Sequence, residues 1–171
     1  MIKIVGAICI LAATTWIGFE FSRQFSERPR QLRQLKTALR SLEAEIMYGH
    51  TPLHEATRRL AKQMPNPIAL LFSSFSKRLI ETDTTASVAW ETSLREVWKW
   101  TALNKGEFEV LSQFGQTLGK HDRGTQQKQI VLALTHLERE ETEARDRQSK
   151  YEKMIKSLGV LSGLLLIVLF M

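Results

Sequence analysis

The sequence predicts an all-α protein, a compact bundle of about six helices between an N-terminal and a C-terminal transmembrane helix. Three observations carry that prediction. Through the centre of the chain, apolar residues recur at alternating intervals of three and four. An alternating apolar–polar pattern is almost absent, and prolines number only four. Both ends are apolar runs flanked by basic residues. A chain of 171 residues suffices for one ordinary domain and is too short for two well-buried ones. Its single cysteine, Cys9, excludes an internal disulfide framework and a cysteine-based zinc site.

The element order begins with the N-terminal run Ile4–Phe19, which carries no charge and extends through Phe21 with only Glu20 intervening. As a helix it measures roughly 24–30 Å, about the hydrocarbon thickness of a bilayer. The C-terminal run Leu158–Met171 is shorter; Met154 and Ile155 extend it, and Lys156 can snorkel. The predicted segments are a span over 1–21, a helical domain over 22–156 and a second span over 157–171. Gly159 and Gly163 place two small residues on one face of the second span.

The formal net charge of +6 invites a nucleic-acid reading, but the charge is local. Residues 22–40 hold six basic groups against one acid, whereas 41–157 hold 17 basic and 16 acidic groups. Arg23, Arg28, Arg30 and Arg33 follow the first apolar run, and Arg147, Lys150, Lys153 and Lys156 precede the second. By the positive-inside rule both flanks put the central domain in the cytoplasm and both termini outside. A cleaved secretory signal fits poorly, because only Lys3 precedes the first run.

Between the spans, Leu32, Leu35, Leu39, Leu42 and Ile46 define a first helix, with Pro29 in its first turn and Gly49 as C-cap. Thr51-Pro52 opens a second helix with Glu55 as capping partner, burying Leu53, Ala56, Leu60 and Met64. Pro65-Asn66-Pro67 breaks the chain before a third helix that buries Ile68, Leu71, Phe72, Phe75 and Leu79. A loop over 82–85 leads to a fourth helix marked by Val88, Trp90, Leu94, Val97 and Trp98. Asn104 and Glu107 form the capping box of a fifth, which buries Phe108, Leu111, Phe114 and Leu118 and ends at Gly119. The last helix starts at Asp122 or Thr125, and no Pro or Gly occurs from Thr125 to Leu158. Its Glu138–Lys153 stretch of mixed charge reads as a solvated, ion-paired face.

If the first helix leaves the membrane and the last returns to it, their far ends meet at a distal tip. That tip carries His50, Lys120, His121, Asp122 and Arg123, the candidate partner-binding residues. Catalytic chemistry finds no foothold: there is no phosphate-binding glycine loop and no nucleophile elbow. His50 and His54 have the spacing of a metal pair, but Pro52 falls between them, so no metal or other cofactor is expected. Trp90 and Trp98 share a core face, while Trp100 points elsewhere, and a nearly neutral domain gives nucleic acid little to bind. The residues thus point to a membrane-anchored, non-catalytic interaction protein, whose partners include membrane lipids.

Four segments carry a family resemblance: TTWIGFE (14–20), ERPRQLRQLKTALRSLEAEIMYGHTPLHEA (27–56), LSQFGQTLGKHDRGTQQKQI (111–130) and EKMIKSLGVLSGLLLIVLFM (152–171). They resemble the stage III sporulation protein AB family of endospore-forming Firmicutes across essentially the whole chain. The resemblance implies a helical cytosolic domain similar to the cytoplasmic repeat of type II secretion and type IV pilus inner-membrane platform proteins. It implies residence in the mother-cell membrane around the forespore, within a channel-like complex. The implied partners are a cytosolic secretion-type ATPase of the same operon, the other membrane subunits of the stage III complex and further copies of the chain. Platform proteins usually carry two cytoplasmic repeats and three spans, whereas this chain has one repeat and two predicted spans. A membrane-anchored regulatory adaptor acting by contact, without a transport apparatus, is the alternative reading.

Overall fold

The computed structural model describes residues 26–49, 51–81, 84–119 and 123–170. Among them every regular element is a helix, as the three–four periodicity requires: α1 (26–48), α2 (Leu53–Gln63), α3 (Ile68–Glu81), α4 (Ala86–Trp98), α5 (Lys105–Thr117) and α6 (Arg123–Phe170). Two compact units divide the chain, Arg28–Thr142 and a second made of Met1–Glu27 with Glu143–Met171.

In the first unit, α2 packs on α3, α3 on α4 and α4 on α5, as short connections favour. The predicted α1 stripe is fully buried at Leu32, Leu35, Leu39 and Leu42. Trp90 is its aromatic counterpart, with Phe72, Phe75 and Phe114 edge-on at 5.9, 5.1 and 5.4 Å between ring centroids. The indole N–H donates to the Leu111 carbonyl at 2.8 Å, so the ring enters the core with its one polar atom satisfied. Gly115 makes room for it, since a Cβ there would run into the indole.

The helix signals hold unevenly. At Asn104 the expected box forms, with the backbone N–H donating to Glu107 Oε2 at 2.7 Å. Gly119 ends α5 with φ of +74°, the left-handed conformation that glycine adopts without strain. Gly49 differs: its φ is not positive, and its requirement is space, because a Cβ would sit 2.5 Å from the Glu45 carbonyl. Glu55 caps nothing; it pairs one turn on with Arg59 at 2.8 Å, and Pro52 heads α2 without a side-chain cap. In α4 Ala89, Trp90, Ser93, Leu94 and Val97 are buried, while Val88 is 52% exposed and its N–H donates to the Thr85 hydroxyl.

α1 and α6 run antiparallel within the first unit. Arg28 faces Glu140, Lys36 faces Glu138 and Glu141, and Glu43 faces Gln127, so rising numbers on one helix meet falling numbers on the other. Among the described residues no helix is long and apolar enough to cross a membrane. The predicted span 1–21 lies outside the described residues, and of 157–171 the helix is described to Phe170 but the side chains only to Leu158.

Candidate partner-binding tip and the ion pairs behind it

The antiparallel α1–α6 pair brings the end of α1 and the start of α6 to one end of the first unit. There the residues that bracket the predicted tip line a cavity of about 190 Å³. Its walls are apolar at Ile46, Leu53, Ala56 and Leu118 and polar at Glu45, Thr51 and Gln126. Tyr48 stands beside it on the last turn of α1 and is 82% exposed. An exposed aromatic at a bundle end is the kind of residue that anchors a protein contact. His50, Lys120, His121 and Asp122 lie outside the described residues, and Arg123 is described only as the first residue of α6.

At the opposite end of α1 the basic segment meets α5 and α6. The Arg28 guanidinium donates from Nε to Glu107 Oε1 at 2.9 Å, from Nη2 to the same oxygen, and from Nη2 to Glu140 Oε2 at 2.8 Å. The Glu107 side chain is fully buried. The Asn104 amide borders this cluster, and with its oxygen assigned to the side facing Arg28 it accepts from Nε at 3.2 Å. Two turns on, buried Lys36 reaches Glu138 and Glu141, each at 2.9 Å. Burial by itself would lower the Lys36 pKa, but the bonds to Glu141 and Glu138 and their charges prevail and hold it above the ordinary 10.5. Arg33 adds a longer bond to Glu141 at 3.3 Å.

These contacts correct one sequence expectation and locate others. Glu138–Lys153 is not a uniformly solvated face, because Glu141 is buried and faces α1. Of the basic residues predicted to flank a membrane, Arg28 and Arg33 turn toward acids of the bundle. Arg147 sits one turn from Glu143 at 3.9 Å, while Arg30, Lys150 and Lys153 are exposed. Arg23 and the Lys156 side chain lie outside the described residues. The buried acids were harder to anticipate than the bases. Glu107 reads as an ordinary capping residue, although Glu141 sits at a core position of the stripe that runs Leu134, Leu137, Glu141, Ala144. Among the described residues no cluster of His, Cys, Asp and Glu could hold a metal ion.

Fold and site together define a class: an all-helical bundle whose first and last helices pair antiparallel and are pinned by buried ion pairs, with the α1–α2 and α5–α6 connections meeting at one end. Comparison with known proteins makes this specific. The family model of stage III sporulation protein AB matches residues 3–171. The chain is 59% identical over 171 residues to stage III sporulation protein AB of Bacillus subtilis (strain 168), covering all of both chains. A solved structure of stage III sporulation protein AB superposes with a TM-score of 0.70 at 58% identity, over 72% of this chain and 98% of that one. The chain belongs to the stage III sporulation protein AB family.

Proposed function

We propose that this chain is a non-catalytic platform subunit of a secretion-like sporulation channel between mother cell and forespore. In this reading the two apolar runs span the mother-cell membrane around the forespore and the helical domain lies in the cytoplasm. The tip engages a cytosolic secretion-type ATPase of the same operon, and the membrane side engages the ring-forming subunits of the stage III complex. The coupling role is carried over from the platform proteins by fold-level resemblance.

The observation that supports it best is the antiparallel α1–α6 pairing, from Arg28 with Glu140 to Glu43 with Gln127. It sets both ends of the unit Arg28–Thr142 at one end, and at the other it brings the α1–α2 and α5–α6 connections around a cavity, with an exposed tyrosine on the last turn of α1. A platform needs that division between an anchoring end and a docking end.

The test is co-purification of the ATPase with full-length protein from sporulating cells, wild type against Lys120→Glu with Arg123→Glu. Recovery of the ATPase with wild type and its loss with the variant, while the membrane subunits stay associated, is the expected outcome. Equal recovery with both proteins removes the tip from the reading. Absence of the ATPase from both removes the platform role.

A further inference from the structure

The cavity at the end of α1 holds a charge that the bundle does not use. Glu45, in the last turn of α1, lines it, and the carboxylate folds back toward Gly49: a Cβ on that glycine would stand 2.7 Å from Oε2. Among the described residues Glu45 pairs with no base, whereas Glu138, Glu140 and Glu141 each hold a base of α1. Its place makes the unpaired charge more costly. The C-terminal end of a helix carries partial negative charge, so a carboxylate there is disfavoured and a cation favoured.

The rest of the lining suits the stem of a long basic side chain. Ile46, Leu53, Ala56 and Leu118 form an apolar wall, and Thr51 and Gln126 supply neutral oxygens. Methylene stems pack on such walls while the charged head keeps its polar partners. Volume sets the class of occupant. The cavity's 190 Å³ is several times the roughly 30 Å³ that one water occupies in the liquid, and it falls short of the roughly 300–1,000 Å³ of small-molecule sites. One long side chain fits it. Arginine suits it better than lysine, because its planar fork of donors reaches a carboxylate and neutral oxygens together.

We infer that this cavity receives one arginine side chain of a protein partner, with its guanidinium on Glu45 and its stem against Ile46, Leu53 and Leu118. Charge complementarity at Glu45 selects the occupant, and exposed Tyr48, three residues on along α1, offers a ring to the residues that flank it. The adjoining connection carries Lys120 and Arg123 in sequence, so the partner's arginine stands among neutral or acidic neighbours. The inference rests on the reading of this end as the docking end and names the chemistry of the contact.

Two measurements on the full-length protein test it. The first is saturation-transfer NMR in detergent with N-acetylarginine amide, against N-acetylcitrulline amide, which has the same shape without the charge. Transfer to the arginine probe is expected to exceed that to citrulline severalfold, to be lost with Glu45→Gln and to grow with Gln126→Glu, a gain that misfolding cannot produce. Equal transfer to both probes, or transfer unchanged by Glu45→Gln, overturns the inference. Transfer seen only after Lys120→Ala assigns the cavity to the chain's own lysine and overturns it too. The second is recovery of the ATPase from sporulating cells, expected to fall severalfold with Glu45→Gln. Recovery equal to wild type overturns the inference and leaves the ATPase contact standing. An ATPase absent even with wild type removes the platform reading, and the probe result then decides the inference alone.

Discussion

Arg28 and Glu107 show how much rests on single buried charges. Glu107 is fully buried and satisfies both a guanidinium and the Asn104 N–H that opens α5. Glu107→Ala takes away Arg28's buried partner, leaving it only Glu140, and uncaps Asn104, and the expected loss is about 3–5 kcal/mol of unfolding free energy, measured by denaturant titration. At Trp90 the constraint is volume: Gly115→Ala forces the indole from its slot and is expected to cost about 1–3 kcal/mol. Lys36 gives a pH signature with a definite sign. Its folded pKa lies above the unfolded value, so its stabilisation is complete below the ordinary 10.5 and is lost as pH rises through the folded value. Relative to a Lys36→Met protein, wild type should therefore lose stability on that alkaline limb, a difference visible in melting temperatures. Glu96 behaves oppositely. The Arg78 bond, then the Ser74 bond, lower its pKa, so its smaller, solvent-screened contribution is present above the ordinary carboxylate value and fades as pH falls.

At the level of elements, the connections decide whether helices stop where they should. Gly119 holds a φ of +74° between α5 and α6, and Gly119→Ala is expected to cost about 1–2 kcal/mol in thermal unfolding, by destabilising a left-handed residue. A Cβ there would also press to 3.3 Å from that of Ala86. Glycine with a capping box upstream was legible in the sequence, as were the breaks at Pro65–Pro67 and the α1 stripe. Glu55 is the misread residue, and the reason is local. Local spacing cannot tell whether a side chain spends its bonds on a cap or on a neighbour one turn away. Long-range charge was the least legible feature. Arg28 and Glu107 stand 79 positions apart, and only the packed bundle brings them together. In sequence the basic run beside the first apolar segment therefore reads as a membrane flank alone, although Arg28 and Arg33 pair with acids of the bundle.

For the whole molecule, the ion pairs between α1 and α6 act as an index for longitudinal position. A seam of leucines has no strong preference among shifts of one heptad, because every shift buries similar surface. Buried Lys36 and Glu141 remove that freedom, since sliding either helix would leave both without a partner in a poorly solvated site. Replacing them together, Lys36→Met with Glu141→Leu, is expected to preserve or raise thermal stability while admitting the shifted arrangement. Cysteine pairs report it: Leu35→Cys with Leu137→Cys should link in either background, whereas Leu35→Cys with Ile130→Cys should link only once the charges are gone. In this chain the work is done by one lysine and one glutamate placed among leucines.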